Sequence, residues 1–250
     1  MIISAGKCHI GKHRNKNEDA IFLHDSQYGC LPNLYIVADG MGGHLAGEYA
    51  STFAIQSFCE YVNMHKDDSI SAENLKSFLY DAILYTNNKV YEKSKEDDNF
   101  KGMGTTFIVS VFLADKIYVA HVGDSRVYII QDDKIYQLTL DHSYVEEMVR
   151  KGEITEKEAI NHPNRNIITR AVGTNSTVDV DFYTADINDG TFTLMCSDGL
   201  SNMLEEEEIL HIIKENEDLE TITQALVDKA NEKGGFDNIS VIIIRGREGR

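Results

Sequence analysis

Four aspartates in this chain stand where an apolar run meets glycine. Asp39 closes Leu34-Tyr35-Ile36-Val37-Ala38 and is followed by Gly40, Met41, Gly42 and Gly43. Asp198 closes Leu194-Met195-Cys196-Ser197 and is followed by Gly199. Asp124 follows Val119-Ala120-His121-Val122-Gly123, and Asp237 follows Gly234-Gly235-Phe236 and leads into Ile239-Ser240-Val241-Ile242-Ile243-Ile244. Taken singly, each is a common turn. As a set spread from Asp39 to Asp237, they suggest one site assembled from distant parts of the chain.

Acids fixed at strand ends are suited to hard divalent cations, which prefer oxygen ligands. Zinc would ask for His and Cys at ligand spacing, and neither H-E-x-x-H nor C-x-x-C occurs. Two such cations roughly 3.5–4 Å apart can share a water, lower its pKa and clamp a phosphate. Asp39, Asp198, Asp237 and the Glu18/Asp19 pair can supply the carboxylates, and Arg14, just upstream, can grip phosphate oxygens in a bidentate fashion. The chain has no P-loop, no G-x-S-x-G and no kinase signature, so phosphoryl hydrolysis fits better than nucleotide use.

The elements that must hold these residues can be read from periodicity. Met1 to Ile10 reads as a first, possible edge strand, followed by a polar loop and the strand Ala20–Leu23. After the Asp39 turn, Ala46 to Met64 carries a helical period, and a second helix runs from Ala72 to Lys95. Strands at Phe107–Leu113, Ile117–Val122, Arg126–Ile130 and Ile135–Leu138 have hairpin-like links, which predicts largely antiparallel pairing. Residues Asp141 to Thr169 differ in character, with two short helices, one opened by the capping box Thr155-Glu156-Lys157-Glu158, and read as a flap. Strand character resumes at Thr191–Cys196, then come helices Glu205–Asn216 and Asp218–Lys233 before the last strand. Acids leading the first of these helices suit its positive end. Helix pairs in this order can cover the outer faces of two packed sheets, as one domain over residues 1–250.

Composition narrows the partners. A formal net charge of −17 argues against nucleic acid and anionic membranes. Hydrophobic content of 42% with only two prolines supports a sizeable core. The four scattered cysteines suggest reduced thiols, the opening residues are too short for a signal peptide, and no apolar run approaches the roughly 20 residues of a membrane helix. The expectation is a cytoplasmic protein.

Six short motifs occur in order: Arg14-x-x-Asn17-Glu18-Asp19, Asp39-Gly40-Met41-Gly42-Gly43-His44, Gly104-Thr105-Thr106, Gly123-Asp124-Ser125-Arg126, Asp198-Gly199 and Asp237-Asn238. In this the chain resembles the metal-dependent, type 2C serine/threonine protein phosphatases, most closely their bacterial branch. The resemblance covers nearly the whole chain. It implies an α+β fold of four layers (αββα): a central β-sandwich of two mainly antiparallel sheets flanked by helix pairs, with a flap near 141–169. It implies two, or with a third site three, Mn²⁺ or Mg²⁺ ions. Asp39 would bridge two of them, Asp198 and Asp237 would complete the first, and the Gly40 carbonyl would serve the second, with Glu18 or Asp19 helping directly or through water. Asp124 with Asp198 would hold the third, and Arg14 would bind the substrate phosphate. The implied reaction is hydrolysis of phosphoserine or phosphothreonine by a metal-bridging hydroxide without a covalent intermediate. The implied partners are phosphorylated proteins, including a serine/threonine kinase and its substrates, met by a monomer.

Two departures stand out. Many eukaryotic relatives carry a candidate general acid, His, where this chain has Met41, and Met has no proton to give. The family often has Asp where His9 stands, a change expected to affect packing. His44, His142 and His162 are read as local hydrogen-bonding residues. Other readings of the same acids are a non-catalytic phosphoprotein-binding pseudophosphatase, disfavoured by the complete acid set, and a hydrolase of small phosphoesters.

Overall fold

A computed structural model of the chain describes residues 2–43 and 46–246. The strands β1 (Ile2–His9), β2 (Asp19–His24) and β3 (Leu34–Met41) come first, then the helices α1 (Ala46–Met64) and α2 (Leu75–Glu96). Next are β4 (Gly104–Thr105), β5 (Phe107–Leu113), β6 (Lys116–Val122), β7 (Arg126–Gln131) and β8 (Lys134–Gln137). The flap holds α3 (Tyr144–Arg150) and α4 (Glu156–Ile160). The chain ends with β9 (Asp181–Asp186), β10 (Phe192–Cys196), α5 (Asp198–Ser201), α6 (Glu206–Glu215), α7 (Leu219–Glu232) and β11 (Ile239–Gly246).

One sheet has the order β1-β11-β10-β7-β8 and the other β2-β3-β5-β6-β9, with β4 against the end of β3. Every pairing between them is antiparallel. The strands are nonetheless near-continuous apolar runs, and the layers explain why. Along β3, Tyr35 and Val37 point into the core between the sheets, while Leu34, Ile36 and Ala38 point outward to α1 and α2. Along β11, Ile242 and Ile244 face inward, and Ile239, Val241 and Ile243 face α6 and α7. Because both faces of each sheet are covered, neither face needs polar residues. Small residues on the buried stripe of α1, among them Ala46, Gly47, Ala50, Ser51 and Ala54, let that helix sit close to its sheet.

The observed bounds differ from the sequence expectation in four places. β3 continues through Asp39 to Met41, because β2 pairs with Asp39 and β4 with Gly40 and Met41. α2 begins at Leu75, since Ser71 and Asn74 are tied in a turn by the Asn74 side chain. β9 was not expected. Its sequence, Asp-Phe-Tyr-Thr-Ala-Asp, is only half-buried, and it is made a strand by pairing along β6. Residues Asp198 to Ser201 form a helical turn, an element that periodicity does not predict. The capping box at Thr155 is present, and β1 is an edge strand. Among the described residues, no helix is long and apolar enough to cross a membrane, and all four cysteines are unpaired.

Candidate metal and phosphate site

The acids converge because of strand pairing. β10 and β11 are antiparallel neighbours, so Asp198, just past the end of β10, lies beside Asp237, just before the start of β11. β2 and β3 are likewise antiparallel, and Asp19 stands opposite Asp39 in register. The two sheets are joined at this edge by Ser197, whose hydroxyl donates to Asp19 Oδ2 at 2.7 Å and accepts from the Ser240 N–H at 3.0 Å.

The result is a pocket of about 350 Å³ whose lining includes Arg14, Glu18, Asp39, Gly40, Asp124, Asp198 and Asp237. All the anticipated site residues except Asp19 therefore face one cavity. Asp19 is buried and does not line the pocket. A side chain at position 40 has no room: a Cβ there would lie 2.0 Å from the Gly47 carbonyl oxygen and 2.6 Å from that of Glu18.

Backbone contacts fix the key acid rigidly. The Asp39 N–H donates to Thr106 Oγ1 at 2.9 Å, and the Asp39 carbonyl accepts from the Thr106 N–H at 2.8 Å and from the Thr105 hydroxyl at 2.9 Å. Asn238 does the same for the loop that carries Arg14. Its Oδ1 accepts from the Glu18 N–H at 2.8 Å, and its Nδ2 donates to the carbonyls of Ile10 and Lys16. Arg14 Nη2 donates to Asp237 Oδ2 at 2.7 Å, with Glu18 4.0 Å from its other terminal nitrogen.

Electrostatically the floor is strained. Burial pushes the Asp39 carboxyl well above the ordinary carboxylate range, and the charges of Asp19 and Asp198 push it further. Burial, then Asp198, raises Asp124 to about 8. Burial raises Asp19 to about 7 against the hydrogen bond from Ser197, and burial with Asp237 raises Asp198 to about 6. Glu18 is also raised, by burial, against the pull of Arg14. With Asp39 and Asp198 both ionised, no donor stands between them. Asp198 Oδ1 and Asp19 Oδ1 are buried with no hydrogen-bond partner. Carboxylates gathered and left unpaired in this way are costly unless a cation joins them.

That donor set fits hard divalent ions in type and charge: it is all oxygen, it is in excess, and two of its atoms lack partners. Among the described residues, no group of three or more His, Cys, Asp or Glu side chains is placed so that it could hold a metal ion as it stands. One Asp237 oxygen is taken by Arg14.

Several residues of the site were not anticipated as such. Thr106, Asn202, Phe236 and Asn238 line the pocket, as do Arg165, Asn166 and Ile168 from the flap. The threonine and Asn238 lay in motifs already noticed, whereas nothing local marks Arg165. A second cavity of about 510 Å³ adjoins the first through Asp124, Arg165, Asp198 and Asn202, and runs between the flap and the start of α6, where Glu205, Glu206 and Glu207 line it. No histidine lines the phosphate pocket among the described residues; Met41 does. His44 lies outside the described residues. His9 Nδ1 accepts from the Gly11 N–H, and His162 Nδ1 accepts from the Asn164 N–H. His142 ties the Gly123 N–H to Asp181 at the root of the flap.

Comparison with known proteins shows what the chain is similar to as a whole. Residues 5–234 match the family model described as protein phosphatase 2C. A serine/threonine phosphatase stp of Listeria innocua is 35% identical over 93% of this chain and 90% of its own length. The solved serine/threonine phosphatase of S. agalactiae superposes with a TM-score of 0.91 at 34% identity, covering 99% of this chain and 100% of that one. The catalytic domain of the serine threonine protein phosphatase PstP, solved in complex with two manganese ions, superposes with a TM-score of 0.84 at 29% identity, covering 99% of both chains.

Proposed function

The chain belongs to the protein phosphatase 2C family and is a divalent-metal-dependent protein-serine/threonine phosphatase, and we propose that the pocket bounded by Arg14 and the four-way meeting of aspartates is where it works. The observation that carries this reading is the group of carboxylates from Asp39, Asp124, Asp198 and Asp237 facing one cavity with a guanidinium at its rim, with Asp198 Oδ1 buried and without a partner.

In this reading, Asp39, Asp198, Asp237 and the Gly40 carbonyl would hold two Mn²⁺ or Mg²⁺ ions. Glu18 and Asp19 would assist directly or through water, and Asp124 with Asp198 would hold a third ion. Divalent ions, when bound, lower the pKa of water and offset phosphate charge.

The chain's own residues do the rest. Arg14 exchanges its contact with Asp237 for two phosphate oxygens, a geometry suited to its planar fork. Thr105, Thr106 and Asn238 hold the acids and the Arg14 loop in place, so little reorganisation accompanies reaction. Water attacks phosphorus as the bond to the serine or threonine oxygen breaks, and that oxygen takes a proton from water, since Met41 has none to give. No Ser, Cys or His side chain lines the pocket among the described residues, and the Thr106 hydroxyl is engaged by Asp39 and Ser125, which supports direct attack by water over a covalent intermediate.

We also read the chain as one catalytic domain over residues 1–250 with the flap as a subdomain. It would act as a cytoplasmic monomer opposing a serine/threonine kinase. The test is hydrolysis of a phosphothreonine peptide with Mn²⁺ and with EDTA, beside metal stoichiometry by isothermal titration. Mn²⁺-dependent turnover with two or three ions per chain is expected. Equal rates in EDTA would overturn the reading, and tight peptide binding without turnover at any metal concentration would make the chain a binding module. Greater efficiency on small phosphoesters than on peptides would point away from phosphoproteins.

A further inference from the structure

Ten large apolar side chains stand exposed among the described residues, and one of them, Phe236, lines the pocket. Leu140, Tyr144, Ile160 and Ile167 belong to the flap and its approach, and Phe236 lies on the phosphate pocket itself. An isolated exposed phenylalanine needs no function. This one is 58% exposed, the most exposed aromatic of the ten, yet its position is fixed.

Its ring stacks on that of His13, with centroids 4.9 Å apart and planes inclined by 30°. His13 immediately precedes Arg14, and Phe236 immediately precedes Asp237, so the ring pair flanks the ion pair of Arg14 with Asp237. On another side the ring lies against the backbone of Gly234. That residue has φ +140°, and a Cβ there would sit 2.5 Å from Phe236 Cε2. Any side chain at 234 would push the ring away, so glycine is what lets it lie there. The rest of the pocket wall is mostly carboxylate, amide and guanidinium, with Met41, Ile168 and Met203 as the other apolar members.

The phosphate of a bound phosphoserine reaches Arg14. Consecutive Cα atoms are about 3.8 Å apart, so a residue flanking that serine is within reach of a ring one position from Asp237. Covering an exposed ring with an apolar side chain is favourable, whereas covering it with a hydrated charge strips water from that charge.

Resting on the phosphatase reading above, we propose that Phe236, seated on His13 and Gly234, selects phosphoprotein substrates with an apolar side chain beside the phosphorylated residue. Phe236 is thus a specificity-determining residue that contacts the substrate and takes no part in bond breaking.

The test uses the full-length Mn²⁺-loaded enzyme and phosphothreonine peptides with Leu, Gly or Arg placed at each of the two positions on either side of the phosphothreonine. Wild type should prefer Leu over Gly by about tenfold in kcat/KM at one flanking position, equivalent to about 1.4 kcal/mol, with the difference carried by KM. Phe236→Ala should bring that ratio close to one, and Phe236→Leu should keep most of it. Circular dichroism and metal stoichiometry of both variants establish that fold and loading are intact. A wild-type ratio near one at every position overturns the proposal, as does a ratio that survives in Phe236→Ala. A Phe236-dependent preference for Arg over Leu would also overturn it. Failure of wild type to hydrolyse any of the peptides would instead sink the phosphatase reading on which the proposal rests.

Discussion

Two regions of this molecule gather charge, one half-buried at the root of the flap and one buried on the pocket floor, and they do so with opposite energetics. At the root of the flap, every charge meets its opposite. Arg126 donates from Nε to both Asp141 oxygens, at 2.9 and 3.1 Å, and from Nη2 at 2.7 Å. Arg170 donates to Asp181 at 3.0 Å, and His142 bonds the other Asp181 oxygen at 3.1 Å. Burial alone would raise the Asp181 carboxyl, but His142 and Arg170 outweigh it and hold the carboxyl low. On the pocket floor the acids face one another, and Asp39 is driven up by burial and by its neighbours. A partly buried aspartate matched by cationic side chains is structural, whereas aspartates buried against one another mark a candidate site. The first region is satisfied by its own cationic side chains, whereas the second, on the reading proposed above, would be completed by divalent ions.

The largest expected effect comes from removing a floor acid. Asp39→Asn should lower kcat by roughly 10³-fold, the scale at which a metal-dependent step fails, while the metal-free protein becomes no less stable, because the buried Asp39 carboxyl is itself disfavoured in its ionised form. Steady-state rates and thermal melts in EDTA check both halves; full activity would remove Asp39 from its role. At the flap root the same kind of change should act the other way. Arg126→Met leaves Asp141 without its cation and should cost about 3 kcal/mol of stability, read from urea unfolding, with partial recovery in the double variant Arg126→Met/Asp141→Leu. A cost near zero would erase the contrast between the two regions.

A smaller effect should appear in the pH dependence. In the folded metal-free chain Asp198, Asp19 and Asp124 keep their protons up to about 6, 7 and 8, against an ordinary carboxyl value of 3.8. Between these values the folded state binds more protons than the unfolded one. Stability of the metal-free protein should therefore fall as pH rises from about 5 to about 8 and return on acidification. Saturating Mn²⁺ should reverse that slope, because ligation requires the deprotonated acids. Melts in EDTA and in Mn²⁺ across that range measure it, and identical slopes would contradict a cation-requiring floor. The smallest effect is expected for Arg14→Ala, about a tenfold loss in kcat/KM for phosphopeptide, since that side chain is half exposed and acts at the rim. An unchanged value would leave phosphate binding to the flap side.

Much of the fold was legible because its signals are local. Apolar residues at helical spacing marked α1, and the long apolar runs marked β3, β5, β10 and β11. The acids were legible because each follows or precedes such a run beside a glycine. β9 was not, since its half-buried, polar sequence becomes a strand only when β6 is there to pair with it. Arg165 was not, because nothing near it in sequence indicates that the flap turns it toward the pocket.

Residue order dictates the layers and the inventory: which segments bury two faces, which acids cap them, and the oxygen-ligand character of the candidate site. Long-range folding sets the company each acid keeps. Asp198 lies beside Asp237 because β10 pairs with β11, Asp19 stands opposite Asp39 by register, and Ser197 ties one sheet to the other. Periodicity reports the short-range sterics of each segment, but a site made from both ends of the chain depends on strand register, which only long-range pairing fixes.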